Sequence, residues 1–410
     1  MFTSLKKTFW TGILICAITV NAQIKPPPPV LLSAYYLPVN NEYSDLYVTF
    51  RIANNKLVFL KQGDGYSGSF EFNIEVLKND SVVERTSVNK NIFQSDYEST
   101  KAKDKYVQGL LTFRLKSGKY KLVPEIRLDK TNIDVRLKPL VKEIKPNDVF
   151  EPLVVTKNKG DFILTNFENN FPFTNKDNGL LLPVKKATSV LGLKISQNNT
   201  VIVDTNLTNK NYEGFNFVHA GNEILLRKDS IAPKFNYFFI DGFSKKLNEG
   251  KVDLEIKLND TTKVKFRKYV IWYTKPLTLY NPEMAIKLLR IIGEDKEVRA
   301  IFKHPSRLYY KKLVEYWNRK FPQPGKFNEA MNEFYTRADY ALMNFNTLGK
   351  SNGLRTDRAK IYIKYGKPTS IERKYSEQNE ILEIWKYEHI NREFIFIDRT
   401  GSGKFKLLGK

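Results

Sequence analysis

The chain has 410 residues, with 67 lysines and arginines against 44 aspartates and glutamates, for a formal net charge of +23. That length allows two or three domains with ordinary hydrophobic cores, and a single cysteine, Cys16, rules out a disulfide framework. The cations are spread along the whole chain instead of forming a basic stripe interleaved with aromatics, which argues against nucleic acid and leaves anionic lipid headgroups, acidic glycans or an acidic protein as partners.

At the N-terminus, Lys6 and Lys7 precede an apolar run from Phe9 to Val20 that closes on Val20-Asn21-Ala22, the pattern of a secretory signal peptide over residues 1–22 with cleavage after Ala22. The run is shorter than the ~20 apolar residues a spanning helix needs, so no transmembrane span is expected in the mature chain. Cleavage would remove Cys16, and thiol catalysis and thiolate metal sites with it; the bulky Ile15 before it does not suit a lipobox. Net charge then becomes +21, since Lys6 and Lys7 leave and no acidic residue precedes Gln23. The expected location is outside the cytoplasm, in the periplasm or on the outer cell surface. Residues 23–29 contain Pro26 to Pro29 and read as a stiff polyproline spacer.

From 30 to 145 the pattern is strand-like. Leu46, Val48, Phe50 and Ile52 alternate with other residues, as do Phe70, Phe72, Ile74 and Val76, so each run has one buried face. Turn signals fall at Asn54-Asn55, Gly63-Asp64-Gly65, Lys78-Asn79-Asp80 and Ser117-Gly118, with no helical stretch between them. These features predict a β-sandwich, with Leu115 to Asp129 as two paired late strands joined through Gly118. Residues 146–277 carry further short apolar strands, among them Leu180 to Leu182, Val201 to Val203 and Val252 to Ile256, and read as a second sandwich. The run Lys263 to Trp272 places Val264, Phe266, Tyr269 and Ile271 off strict alternation, which predicts a bulge near Arg267.

Periodicity changes after Pro276. Asn281, Pro282 and Glu283 form a helix start, with Ala285, Leu288, Leu289 and Ile292 at helical spacing up to Gly293. A second helix is predicted from about Ser306, with Tyr309, Tyr310, Leu313, Val314 and Trp317 as its apolar stripe, and a third from Phe327 to Phe345. In Gly353-Leu354-Arg355-Thr356-Asp357-Arg358, the glycine permits a turn with positive φ, Thr356 can cap a helix and Asp357 suits the positive end of its dipole. Ala359, Tyr362 and Ile363 continue a helical face to the stop at Gly366 and Pro368; a strand with Ile361, Ile363 and Tyr365 on one side is the rival reading. Strands follow at Glu383 to Tyr387, Glu393 to Asp398 and Lys404 to Leu408. The overall expectation is a mainly β, multidomain chain: two tandem β-sandwich domains followed by an α+β domain over 278–410.

The landmarks from about Tyr280 onward are ordered: Asn-Pro-Glu, Tyr316-Trp317, Pro324-Gly325, the GLRTD run, YGKP, Glu-Ile-Trp and Asp-Arg-Thr-Gly-Ser-Gly. This series resembles the GWxTD domain of bacterial envelope proteins, a family named for a sequence motif. Leu354 stands where the family has tryptophan. The resemblance implies an envelope location and assigns no reaction.

The search for chemistry is mostly negative. His219, His304 and His389 lack metal-ligand spacing, and no cofactor is called for. Gly401-Ser402-Gly403-Lys404 lacks the first glycine and the final hydroxyl of a phosphate loop. Gly65-Tyr66-Ser67-Gly68-Ser69 lacks the last glycine of a nucleophile elbow and reads as a loop. The candidate binding set is Arg355, Thr356, Asp357, Arg358, Trp385, Asp398 and Arg399, with arginine for bidentate contact and tryptophan for stacking on an envelope protein, anionic glycan or lipid headgroup. The preferred reading is a non-enzymatic interaction or assembly component; the alternative is a hydrolase of an envelope polymer with Asp357 and Asp398 as acid and base.

Overall fold

The computed structural model describes residues 30–128, 133–185, 188–209, 212–258, 262–346 and 353–409. The expected signal peptide and cleavage site, Cys16 and the expected proline spacer lie outside the described residues.

In the first domain, Val30–Pro38 pairs with Tyr43–Ala53, which pairs in turn along its full length with Tyr106–Lys116. The facing sheet is built on Gly65–Lys78 and Gly118–Leu128, flanked by Ser81–Gln94, Ile133–Arg136 and Leu140–Ile144. Leu46, Val48, Phe50 and Ile52 are buried against Phe70, Phe72, Ile74 and Val76, with the Phe50 and Phe72 rings stacked at 4.2 Å. The two alternating runs are thus the inner faces of a sandwich. The stretch around Gly118 behaves differently from expectation: Tyr106–Lys116 and Gly118–Leu128 belong to opposite sheets. Only Ser117 separates them, fewer residues than a hairpin loop requires, so the chain crosses between sheets there. Two further corrections concern local elements. The Gly65 to Ser69 run opens the strand Gly65–Lys78 instead of forming a loop. A short helix, α1 (Tyr97–Lys101), interrupts the strands, capped by Asp96 Oδ1, which accepts from the Ser99 N–H at 2.7 Å.

The second domain divides its strands between a closed six-stranded barrel and a five-stranded sheet. The barrel runs Leu153–Asn158, Asp161–Leu164, Glu223–Lys228, Tyr212–Ala220, Lys234–Ile240 and Gly179–Val184. The sheet runs Phe171–Pro172, Lys263–Ile271, Gly250–Lys257, Val190–Gln197 and Thr200–Thr208. No bulge occurs at Arg267: pairing with Gly250–Lys257 continues without a shift from Val270 to Lys263. The apolar pattern looked broken because the inward residue after Phe266 is Lys268, not Tyr269. Lys268 is buried, and its ammonium donates to Glu151 Oε1 at 3.0 Å.

The two β domains share a strand face. The side of Tyr43–Ala53 turned away from the sandwich core packs Tyr47 on Phe217 of the barrel at 4.4 Å. Thr49 Oγ1 donates to Asn166 Oδ1 at 2.7 Å, and the Asn166 amide donates to the Phe50 carbonyl and to Gln108 Oε1. The third unit continues from the second through Trp272, whose ring meets Phe173 and Phe327 edge-on. Its helices are α2 (Pro282–Leu288), α3 (Asp295–Phe302), α4 (Tyr309–Lys320), α5 (Glu329–Asn344) and α6 (Asp357–Tyr365). Asn281 caps α2 with Pro282 at its first position, as its sequence predicts. Neither α3 nor the strand Ser370–Tyr375 is anticipated by the sequence reading. That strand, with Ile381–Tyr387, Arg392–Asp398 and Lys406–Gly409, forms a four-stranded antiparallel sheet against which α6 lies.

Glu151 stands between the β domains, bonded to Lys268 and to Lys142 at 3.0 Å. Burial alone would raise its carboxyl, but the two ammonium groups outweigh it and hold the pKa at about 2, against an ordinary 4.5. A carboxylate depressed in the folded state contributes stability that is complete above its unfolded pKa and is lost as pH falls through the folded one. Thermal melts should therefore lose stability between pH 4.5 and about 2. Glu151→Gln should flatten part of that slope and lower Tm at neutral pH, because Lys268 then stays buried without its counter-charge; a pH profile parallel to wild type would contradict this.

Candidate functional site

The GLRTD run forms a joint between α5, α6 and the C-terminal sheet. Gly353–Arg355 is one turn of 3-10 helix packed on the end of α5. A Cβ at Gly353 would fall 2.4 Å from the Ala341 carbonyl oxygen, so this glycine serves a close backbone approach and not the positive φ expected of it. Leu354 is 7% exposed and belongs to the core of this unit, so the aliphatic chain fills a pocket at the motif position. Thr356 caps α6: its hydroxyl donates to the Gly353 carbonyl at 2.9 Å and accepts from the Ala359 N–H at 3.1 Å. Asp357 follows at the first helical position, pairs with Lys360 and accepts from the Leu407 N–H at 3.2 Å. Partial burial opposes its ionisation, but those two contacts prevail and hold its pKa below the usual carboxylate value.

Arg358 and Glu383 form the buried pair beneath the joint. Arg358 Nη1 donates to Glu383 Oε1 at 3.3 Å, and the two side chains are 10% and 3% exposed. The guanidinium lies over Phe405 at 4.2 Å and also donates to the Gly403 carbonyl. Burial pulls its pKa down while Glu383 opposes the shift. Glu383 collects two further donors, Arg373 Nε at 3.0 Å and the Trp385 indole N–H at 2.8 Å. Trp385 is 1% exposed, packed on Phe345 and Phe396. Its ring is therefore committed to the core, and the stacking role expected of it is not available. Sequence reasoning missed Glu383 and Arg373. The signal for Glu383 was its register, two residues before Trp385 on the inward side of the same strand.

Asp398 organises the turn after its strand. It accepts from the Thr400 N–H at 3.2 Å and the Gly403 N–H at 2.6 Å, with Gly401 and Gly403 at positive φ. In a phosphate loop such N–H groups face the ligand; here they face the chain's own carboxylate. Asp357 and Asp398, the pair considered for acid and base work, thus engage both of their oxygens in fold contacts. Arg355 and Arg399 point outward. Arg399 is 71% exposed beside Glu380, and Arg355 forms no ion pair among the described residues.

A second region, unforeseen in the sequence, is a cleft of about 900 Å³ where the three units meet. The first domain contributes Arg51 and Tyr106, the second Phe167 and Tyr273, and the third Tyr280, Phe327 and Asn332. The Arg51 guanidinium carbon lies 3.3 Å from the Tyr106 ring centre and 3.8 Å from that of Phe167, and one N–H donates to the Thr165 carbonyl at 3.0 Å. Phe167 stacks on Tyr273 at 4.7 Å, and the Tyr273 hydroxyl donates to the Phe167 carbonyl at 2.9 Å. Among the described residues there is no cluster of three metal-ligating side chains, and no helix long and apolar enough to cross a membrane.

Residues 258–406 match the model of the GWxTD domain. The chain carries a GWxTD domain. That match runs from the strand Lys263–Ile271 of the second domain through α2 to α6 and the joint to the first residue of the strand Lys406–Gly409, and the motif itself reads Gly-Leu-Arg-Thr-Asp. No curated protein matches the chain. Among solved structures, red sea bream transglutaminase aligns at 8% identity and TM-score 0.18 over 60% of this chain and 32% of that one. A β-glycosidase from Bacteroides vulgatus aligns at 11% identity and TM-score 0.18 over 59% and 24%. The C-terminal domain of the Streptococcus agalactiae AgI/II polypeptide BspA aligns at 12% identity and TM-score 0.16 over 58% and 100%. The chain thus spans about a third and a quarter of the first two, and scores this low carry no argument.

Removing one member of a buried pair strands the other. Glu383→Gln in this GWxTD domain should cost about 3–5 kcal/mol, and adding Arg358→Met should recover part of the loss, since the cation left buried without a counter-charge is then removed. Arg373→Ala should change stability by less than about 1 kcal/mol, because its side chain is exposed. Gly353→Ala should cost roughly 1–3 kcal/mol through the forced backbone shift. Urea unfolding of the four variants tests the set; an E383Q chain as stable as wild type would dismiss the pair as the joint's fastener.

Proposed function

We propose that the protein is an exported component of the bacterial cell envelope that works by binding: it holds an envelope protein, an anionic glycan or a lipid headgroup within an assembly, without turnover. The observation that carries this reading is the division of charge at the GLRTD joint. Arg358 and Asp357 are consumed in fixing helix to sheet and Asp398 in fixing its own turn, while Arg355 and Arg399 are exposed at the surface, Arg399 beside Glu380. Arginines mounted on a rigid corner are suited to bidentate contact with carboxylate or phosphate, because little of their setting has to be ordered on binding. The apolar run and small residues preceding Gln23 support export, and a net charge of +21 after cleavage supports an acidic partner.

Affinity capture from envelope extract, comparing the wild-type chain with the double variant Arg355→Ala, Arg399→Ala, tests the role of the corner. The double variant should fold as wild type, since neither side chain is buried, and should lose the partners retained by wild type at ~0.15 M salt, with wild-type capture itself weakening as salt rises. An unchanged set of captured partners would remove the corner from the binding surface. Recovery of an unprocessed chain from the cytosol would remove the envelope from the reading.

A further inference from the structure

Buried cations elsewhere in the chain have a carboxylate beside them: Lys268 has Glu151, Lys275 has Glu249 and Arg358 has Glu383. Arg51 has none among the described residues. It is half-buried, has an aromatic ring on either side and satisfies one N–H on a backbone carbonyl. Charge removed from water without a counter-charge is costly, and this one lies on the wall of the cleft where the three units meet. Of the acidic side chains that line the cleft, Glu329 is engaged by Asn175 and Glu333 by Arg337, and neither these nor Asp104 and Glu223 form an ion pair with Arg51 among the described residues.

The rest of the cleft narrows the chemistry. Its volume, about 900 Å³, is at the upper end of small-ligand sites, so it is larger than a lone inorganic anion needs. Its lining combines aromatic rings and side-chain amides with charged groups of both signs. Phe167 and Tyr273 present a fixed ring pair, while Asn55 of the first unit and Asn332 of the third contribute side-chain amides to the lining. A sugar has this same double character, with apolar C–H faces that lie on rings and hydroxyl edges that pair with amides. An acyl chain would require a continuous apolar wall, which the amides interrupt.

We infer that the cleft between the three units is a binding site for an acidic oligosaccharide, with the carboxylate or other anionic group of one sugar seated on Arg51 and neighbouring sugar faces on the Phe167 and Tyr273 rings. This goes beyond the corner formed by Arg355 and Arg399 by adding a second site with a ligand class of its own, and it rests on the reading above only for the setting in which such a glycan is met. Arg51 acts as the anion contact, and the flanking Tyr106 and Phe167 rings keep the guanidinium plane fixed, so that the charge-assisted bonds form without ordering a flexible side chain.

The test is titration calorimetry on the full mature chain with two probes that share one backbone, oligogalacturonate and its methyl ester, and with phosphatidylglycerol vesicles as a third arm. Wild type should bind the acid at least about tenfold more tightly than the neutral ester, and Arg51→Met should bring the acid down to the level of the ester. Arg51→Lys, which keeps charge and loses the planar fork, should fall between them. Melting curves of the two variants within a few degrees of wild type are expected, because no ion pair of the fold is broken. Binding of the acid by R51M within about twofold of wild type would overturn the cleft assignment and leave the outward arginines and their partners standing. Equal binding of acid and ester, binding of neither, or a preference for the vesicles over both would overturn the acidic-oligosaccharide class, whereas failure of the broader binding reading is registered separately by the capture experiment.

Discussion

The strand Tyr43–Ala53 is buried on both sides, and the arrangement of the two β domains follows from that constraint. Leu46, Val48, Phe50 and Ile52 complete the sandwich core, while Tyr47 and Thr49 complete the contact with the barrel. A shift of one residue would exchange the two sets, placing a hydroxyl in the sandwich and phenylalanine against the Asn166 amide. Register is thereby specified twice over. Arg51 continues the barrel-facing series at the point where that contact opens into the cleft, so its position comes from the same alternation that builds the core.

In the C-terminal unit the corresponding post is α5. Asp339 accepts from the Leu277 and Thr278 N–H groups where the chain leaves the second domain, Tyr335 donates to the Ala285 carbonyl of α2, and the far end receives Gly353 against its backbone. The motif residues then act as parts of one joint: a residue without a Cβ for the close approach, an apolar plug, a capping hydroxyl, an acid at the helix start and an arginine that reaches through to Glu383. Leu354, at the motif's tryptophan position, is the apolar plug, while the cap rests on Thr356 and the buried pair on Arg358 and Glu383.

Much of this joint could be read before the structure, because caps are local. Thr356, Asp357, Asn281 and Pro282 act on N–H groups within a turn of themselves, and the agreement of cap with stop at Gly366 decides helix over strand for Asp357 to Tyr365. The roles that depend on distant partners could not be read in this way. Arg355 and Arg358 look alike in sequence, yet one is exposed and the other buried, since Arg355 ends the 3-10 turn before the Thr356 cap while Arg358 lies in the first turn of α6 and reaches Glu383 of the sheet. Trp385 looked like a ligand platform and is a core residue. Glu383 and Lys268 interrupt apolar faces, and a charged residue at an inward register looks like an irregularity of the strand until its partner is seen.

Composition and short-range pattern were sufficient for the mainly β character, the order of strand-rich and helical regions, the GWxTD resemblance and most capping residues, because hydrophobic periodicity and capping depend on neighbours a few positions away. Tertiary structure alone decided that the strands around Ser117 part into different sheets, that half of the second domain closes into a barrel, that Glu383 and Glu151 receive buried cations, and that Arg51, Tyr273 and Asn332 line one cleft. Those outcomes are contacts between residues separated by tens to hundreds of positions, set by which faces can be buried together, and no local pattern encodes them.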